Sequence, residues 1–451
     1  MEKTIEKVME FLEQRNFSGL KSLINNMMPA DIALLFEELD TKDIVLVFRL
    51  LPKELSAETF AYLDSDKQEV LIRAISDKEL KDVLEQLFLD DTVDIIEEMP
   101  ANVVSRILKN TDPDTRKQIN EILKYPEDSA GSIMTTEYVY LNKKMTVWQA
   151  ISKLRREGVT KETVYNCYVT ENRKLIGLVE VSVLLASEDS MAVEDIMETN
   201  VISVSAYEDK EVVARTFYKY DFYALPVVDN ENRLVGIVTV DDAIDVLQDE
   251  NSEDLERMAA MQPMDDTYFK TSVWQHAKKR IVWLMILMVS ATFTGTILAK
   301  YESAFMLYPL LVTCIPMLMD TGGNSGSQSS TLIIRGIALD EIHFSDIFRV
   351  IFKEFRISLI VSVILAVLNY VRMLVLYGSS DNIFFIALIV SVSLIFDVII
   401  AKFIGCTLPL LTKKLGFDPA IMASPIITTI VDACAMLIYF TIASSFLPGI
   451  K

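Results

Sequence analysis

The sequence predicts a multi-domain membrane protein: an α-helical solenoid, a tandem α/β domain, a connecting helix and a five-helix transmembrane domain, in that order. Three observations predict it. Charge and apolar character are segregated along the 451 residues. A twelve-residue apolar period runs through the first quarter. Two β-rich stretches then repeat one another before the apolar half begins.

Residues 270–451 carry 14 Lys/Arg and 10 Asp/Glu, whereas residues 1–269 carry 29 and 54. The net charge of −21 therefore belongs to the first half. An acidic field of that size attracts cations and repels nucleic acid, which is excluded as a partner. Cys167, Cys314, Cys406 and Cys434 are scattered and form no metal-binding spacing, so they read as small apolar residues of a reducing compartment. His276 and His343 are the only histidines and lie far apart. With no nucleophile–base set, no P-loop and no hydrolase spacing, the chain is not expected to be an enzyme. Met1-Glu-Lys-Thr-Ile-Glu6 lacks an apolar signal core, which places the acidic half in the cytosol.

Residues 1–128 read as the solenoid. Leu34–Leu39, Leu46–Leu51, Glu58–Leu63, Val70–Ile75, Asp82–Leu87 and Asp94–Met99 start at twelve-residue intervals, with polar breaks such as Leu51-Pro52 and Met99-Pro100. One short amphipathic helix cannot bury its apolar face alone, so such units stack. Their role is contact or regulation.

Residues 129–250 change period. Ser132-Ile-Met-Thr135 is matched by Asp195-Ile-Met-Glu198, and Lys174-Leu-Ile-Gly-Leu-Val179 by Arg233-Leu-Val-Gly-Ile-Val238. Alternating apolar residues interrupted by glycine and followed by an acidic helix start read as strand, turn and helix. The doubled pattern resembles a tandem cystathionine-β-synthase (CBS) domain, a regulatory module that often binds adenine nucleotides. In such domains a Thr/Ser followed three residues later by Asp holds a ribose. Thr239 and Asp242 fit this in the second unit, whereas the first has Glu180 and Ser182-Val183, so at most one site for ATP or a relative is expected. A CBS pair that senses only metal or pairs subunits is the competing reading. Residues 251–279 are polar, acidic at first and basic at Lys278-Lys279-Arg280. With Leu255, Met258, Ala259 and Met261 at helical spacing, they predict one connecting helix along the cytosolic membrane face.

Spanning a bilayer takes about 20 apolar residues. Ile281–Ala299, Ser303–Ile334, Ile357–Tyr377, Ile383–Leu411 and Pro419–Leu447 qualify, giving a transmembrane domain over 280–451. The second is too long for a straight span and must be broken, tilted or extended beyond the bilayer, with Thr321-Gly-Gly-Asn-Ser-Gly-Ser-Gln328 the evident place for a break. The flanks facing the cytosol then hold Lys278, Lys279, Arg280, Arg335, Arg349, Lys353, Arg356, Lys413 and Lys414, and the outer ones little beyond Lys300 and Lys451. This is the positive-inside pattern of a multi-pass plasma- or inner-membrane protein whose C-terminus lies outside.

An ionised carboxylate within a span calls for a reason. Asp432 lies in a long uncharged run and shares a helix face with Pro425, Thr428 and Thr429. Hydroxyls, a carboxylate and carbonyls freed near proline are the hard oxygen ligands that Mg²⁺ or Ca²⁺ prefers. A glycine-rich segment with Asp320, Gly323 and Asn324 facing that helix would complete a cation path. Asp397 and Lys402 in the fourth span are unusual. Five residues apart, they pair poorly within one helix, so Lys402 either snorkels to the cytosolic face or bonds to another span.

The order of helical repeat, CBS pair, connecting helix and five spans resembles the MgtE magnesium channels. Gly322-Gly-Asn-Ser-Gly-Ser-Gln-Ser-Ser-Thr-Leu-Ile-Ile-Arg335, Gly416-Phe-Asp-Pro-Ala420, Ser424-Pro425 and Asp432 carry the resemblance. It implies a homodimer in the lipid bilayer, with Asp432 of both subunits at the selectivity site and Ser424 nearby. It also implies Mg²⁺ as cargo and regulator, closing the gate when it binds between the acidic domains. The regulatory ligands would fall among Asp90, Asp91, Asp94, Glu97 and Glu98 at the end of the solenoid, and Asp245, Asp249, Glu250, Glu253, Glu256 and Asp418. Departures from the family, Ser327 and Ser424 where Asn is frequent, bear on pore coordination. Two alternatives stand beside the channel: a cation-coupled carrier of Mg²⁺, Co²⁺ or Mn²⁺, and a membrane-anchored nucleotide sensor.

Overall fold

The computed structural model describes residues 2–264, 268–269, 271–378, 382–422 and 424–447. They form two compact units, Met1–Gln248 and Asp249–Lys451.

The first unit opens with ten helices: α1 (Glu2–Glu13), α2 (Phe17–Ile24), α3 (Pro29–Glu37), α4 (Thr41–Phe48), α5 (Lys53–Ala61), α6 (Ser65–Ala74), α7 (Asp77–Leu84), α8 (Leu89–Glu98), α9 (Ala101–Asn110) and α10 (Pro113–Ile122). From α3 to α10 every start lies twelve residues after the last. The repeat read from the sequence is thus a repeat of structure. Each turn of the solenoid contributes buried side chains such as Leu35, Phe36, Phe60, Leu71 and Val93 to one continuous core. Ser76 and Glu79 form a capping box at the start of α7, satisfying two backbone amides that the helix leaves open.

Two three-stranded sheets follow. In the first, β1 (Val139–Asn142) pairs parallel to β2 (Asn166–Glu171), which pairs antiparallel to β3 (Lys174–Glu180). In the second, β4 (Val204–Ser205), β5 (Ala224–Val228) and β6 (Leu234–Thr239) repeat the scheme. Helices α11 (Val147–Glu157), α12 (Val181–Ala186), α13 (Val193–Ile196) and α14 (Lys210–Tyr220) pack around them, and α15 (Val240–Met258) leaves β6. The halves exchange their lead-in segments: Thr135 bridges to Ile237 and Glu198 to Leu178. Gly177 and Gly236 make the exchange possible. A Cβ on Gly177 would lie 2.7 Å from the Met197 sulfur, and one on Gly236 would lie 2.6 Å from that of Met134. The repeated Ile-Met and Gly of the sequence are thus the two sides of one contact, made twice.

The second unit holds α16 (Val273–Lys300), α17 (Glu302–Leu307), α18 (Pro309–Ala338), α19 (Ile347–Tyr377), α20 (Ile383–Lys414) and α21 (Ser424–Phe446). Among the described residues, four stretches are long and apolar enough to cross a membrane: Val273–Lys300, Phe344–Tyr377, Ile383–Lys414 and Pro419–Phe446. Helix α18, at 30 residues, is as long but carries the Gly/Ser/Asn/Gln run.

Two expectations are corrected. The run Thr321–Gln328 does not break the second span, because α18 is one helix from Pro309 to Ala338. Its glycines serve packing instead. A Cβ on Gly405 of α20 would stand 2.2 Å from the Gly326 carbonyl oxygen of α18, and one on Gly322 would stand 2.6 Å from the Asp397 carboxylate. Small residues let the two backbones touch, and tertiary packing overrides the helix-breaking tendency of glycine. Nor is the connecting segment one helix over 251–279. Helix α15 ends at Met258 and α16 begins at Val273, so the basic residues 278–280 belong to the first membrane helix. Between them the chain doubles back, with the Gln262 amide on the Lys279 carbonyl at 3.1 Å.

Candidate cation path and regulatory site

Asp432 sits near the middle of α21 with one carboxylate oxygen, Oδ1, buried and without a hydrogen-bond partner among the described residues. It lines a cavity of about 220 Å³ with Ala291, Thr294 and Gly295 of α16, Ile315 and Met319 of α18, and Thr429 of its own helix. A Cβ on Gly323 would touch the Thr428 methyl at 2.8 Å, so the glycine lets α18 approach the hydroxyl face of α21 closely. Asn324 donates to Asp320 Oδ1 across one helical turn at 3.0 Å, and both are exposed. Tyr439 ties the far end of α21 to α18 by donating to the Leu311 carbonyl at 3.0 Å. The expected pore residues Asp432, Thr428, Pro425, Gly323, Asn324 and Asp320 thus fall on two adjacent helices. The side chain of Ser424 lies outside the described residues.

Lys402 does not snorkel. It is buried, donates to Ser329 Oγ of α18 at 3.1 Å, and lies 3.7 Å from Glu354 of α19, which accepts from Ser329 at 2.7 Å. Glu354 is a partner that sequence reasoning missed. It was hidden among the flanking charges of the third span.

The solenoid and the CBS pair meet in the first unit at a concentration of carboxylates. Asp90, in the first turn of α8, is buried. Desolvation, then the charges of Asp242, Glu162 and Asp91, raise its carboxyl well above the usual range. Desolvation likewise lifts Asp91 to about 6, with Asp241 adding to it. Asp94 rises to about 7, through desolvation and then Asp242 and Asp91. Asp242 is raised to about 7 by desolvation, against the opposing hydrogen bond from the Thr239 hydroxyl at 2.6 Å. Glu162 reaches about 8, again by desolvation first and then through Asp91, Asp241 and Asp242. Glu137 is raised by desolvation despite Lys161. Oε2 of both Glu137 and Glu162 is buried without a hydrogen-bond partner among the described residues.

Three of the expected regulatory residues, Asp90, Asp91 and Asp94, therefore belong to one cluster, and Asp242, read as a ribose ligand, belongs to it too. Glu97 and Glu98 are exposed on the far part of α8, and Asp94, also exposed, sits at the rim of the cluster. On α15, Glu253 pairs with Arg257, and Glu256 accepts from the Met264 amide at 2.7 Å. Asp418 also pairs with Arg257, tying the end of α15 to the α20–α21 connection. Asp245, Asp249 and Glu250 follow Asp242 along α15. The sequence missed Glu137, Glu162 and Asp241. One signal was available for Glu137: its counterpart in the repeat, five residues after Asp195, is the uncharged Asn200. Among the described residues no three His, Cys, Asp or Glu side chains converge on one point at metal-ligand distances.

The fold defines a class: a multi-pass helical membrane protein with an acidic soluble unit that joins a helical solenoid to a CBS pair. Residues 315–442 match the family described as "Divalent cation transporter", residues 27–128 the "MgtE intracellular N domain", and residues 130–187 and 193–249 the CBS domain. The chain is 35% identical over its full length to the full length of "Magnesium transporter MgtE" of Thermus thermophilus. To the protein of the same name from Bacillus subtilis it is 32% identical, over 98% of this chain and 97% of that one. The crystal structure of "the cytosolic domain of the Mg2+ channel MgtE in complex with ATP" aligns with a TM-score of 0.52 at 35% identity, over 54% of this chain and 99% of that one. The chain belongs to the MgtE family.

Proposed function

We propose that this protein is a homodimeric Mg²⁺ channel of the cell membrane, closed by Mg²⁺ binding at its cytosolic acidic cluster. The observation that carries the transport half is Asp432: an unpartnered carboxylate oxygen on the wall of a cavity between apolar helices. A carboxylate so placed calls for a cation, and Mg²⁺, which sheds water reluctantly, is held there through its waters. The full-length relatives named magnesium transporters support Mg²⁺ as cargo. The structure described as a Mg²⁺ channel supports a channel over a carrier.

The acidic cluster supplies the regulator. Carboxylates this crowded repel one another, by about 4 kcal/mol per ionised pair at 4 Å and an effective dielectric near 20. Divalent ions and their waters between α8 and the CBS pair reverse that sign. The orphaned oxygens of Glu137 and Glu162 fit such ions, while Arg257 links the end of α15 to Asp418 beside the pore helix. The orientation with the acidic half in the cytosol follows the positive-inside flanks. The pair Thr239–Asp242 is the place for an adenine nucleotide such as ATP, as a second regulator.

Single-channel recording in liposomes tests the reading. Unitary Mg²⁺ currents are expected from the intact protein, and Asp432→Asn, which keeps the shape and removes the charge, reduces them at least tenfold. Currents of normal size in that variant refute the pore assignment.

A further inference from the structure

Asp397 of α20 is the most deeply buried carboxylate of the second unit, 2% exposed, and its Oδ2 has no hydrogen-bond partner among the described residues. Lys402 does not neutralise it, being engaged with Glu354 and Ser329. The opposite wall is Gly322 of α18, where a Cβ would collide with both carboxylate oxygens at 2.6 Å. One turn further along the same face of α18 comes Ser325, 6% exposed, its Oγ also without a partner. Next to it in sequence, Gly326 packs close to the carbonyl of Ala401, one turn after Asp397, so Ser325 lies in the stretch of α18 that runs along α20. Asp432 lies within electrostatic range of Asp397.

Among the described residues, the second unit has three buried side-chain oxygens without a partner: Ser325 Oγ, Asp397 Oδ2 and Asp432 Oδ1. Buried polar atoms are ordinarily satisfied, and an unpaired carboxylate at membrane depth is the costliest exception. They lie on α18, α20 and α21, helices packed against one another, and are hard oxygen ligands of the kind a divalent cation and its waters take. We propose that Asp397, with Ser325, forms a second binding station for the transported divalent cation, apart from Asp432. This rests on Asp432 being the pore carboxylate.

Mg²⁺ uptake by the full-length protein in sodium-free liposomes at fixed pH, measured against Mg²⁺ concentration, tests it. Asp397→Asn is expected to raise the half-saturating concentration roughly tenfold and Ser325→Ala about two- to threefold, the loss of a charged and of a neutral ligand. Neither variant should melt at a lower temperature than the native protein. A purely structural role would lower maximal uptake and the melting temperature and leave half-saturation unchanged, which overturns the proposal. Unchanged half-saturation with an altered dependence on pH or Na⁺ would make Asp397 a coupling-ion site and overturn it equally. Should Asp397→Asn fail to fold, Ser325→Ala decides by the same criterion. Normal uptake by Asp432→Asn would sink the pore reading. Unchanged saturation in Asp397→Asn beside an inactive Asp432→Asn sinks only the second station.

Discussion

Asp91, Asp94, Asp242 and Glu162 hold protons to about 6, 7, 7 and 8, against roughly 4 for carboxyls in an unfolded chain. The folded state therefore binds more protons than the unfolded state between about pH 4 and pH 8. Stability falls as pH rises through that window and is lowest above it, where all four are ionised. With a chelator present, the melting temperature of the intact protein is expected to drop from pH 5.5 to pH 8, and millimolar Mg²⁺ should restore most of the loss at pH 8. A chelated protein with a flat profile contradicts the cluster. Glu162→Gln removes the most strongly shifted of these carboxyls and should flatten the chelated profile while weakening inhibition by Mg²⁺. Little of this was legible residue by residue. Asp90, Asp91 and Asp94 stood out as a run, but Glu137 and Glu162 join them only because the solenoid ends beside the CBS pair. A contact between segments distant in sequence leaves no local pattern.

The elements divide by what determines them. The solenoid helices and the doubled sheets were legible because each start and each apolar face is set within about a dozen residues. Helix α18 was misread because glycine weakens an isolated helix, whereas here Gly322 and Gly326 face α20 and exchange local propensity for contact. The connector was misread because helical spacing continues past Met258 although the chain turns there. Gly405→Ala tests the packing. Its Cβ would meet a backbone carbonyl that cannot rotate away, a mechanism that costs about 1–3 kcal/mol or more. It should lower the melting temperature of the membrane unit and the yield of folded protein. Gly295→Ala on α16 is the control, since nothing lies within 4 Å of its added carbon. Equal behaviour of the two variants would disprove the tight α18–α20 contact.

For the whole molecule, the order of domains was readable from segregation and repetition alone, whereas the coupling between them was not. If the cluster is the regulator, millimolar Mg²⁺ should protect the cytosolic half of the intact protein from protease, and inhibition should be steep because several ions act together. Deleting residues 1–125 should leave currents that Mg²⁺ inhibits far less. Equal inhibition of intact and shortened chains would rule the regulator out.

The touch between Gly326 and Gly405 also sets apart the helices around the Asp432 cavity by how firmly each is held. Two backbones in direct contact leave no room for a larger side chain between them, so α18 and α20 form one close-packed pair. Across the cavity from Asp432 stands α16, which buries no side chain among the described residues. Its first turns are gripped by the connector, through the Gln262 amide on the Lys279 carbonyl and the Lys279 ammonium on the Pro263 carbonyl. Of the helices lining that cavity, α16 is therefore the one least held by the rest of its unit, and the residues just after α15 are bonded to its base.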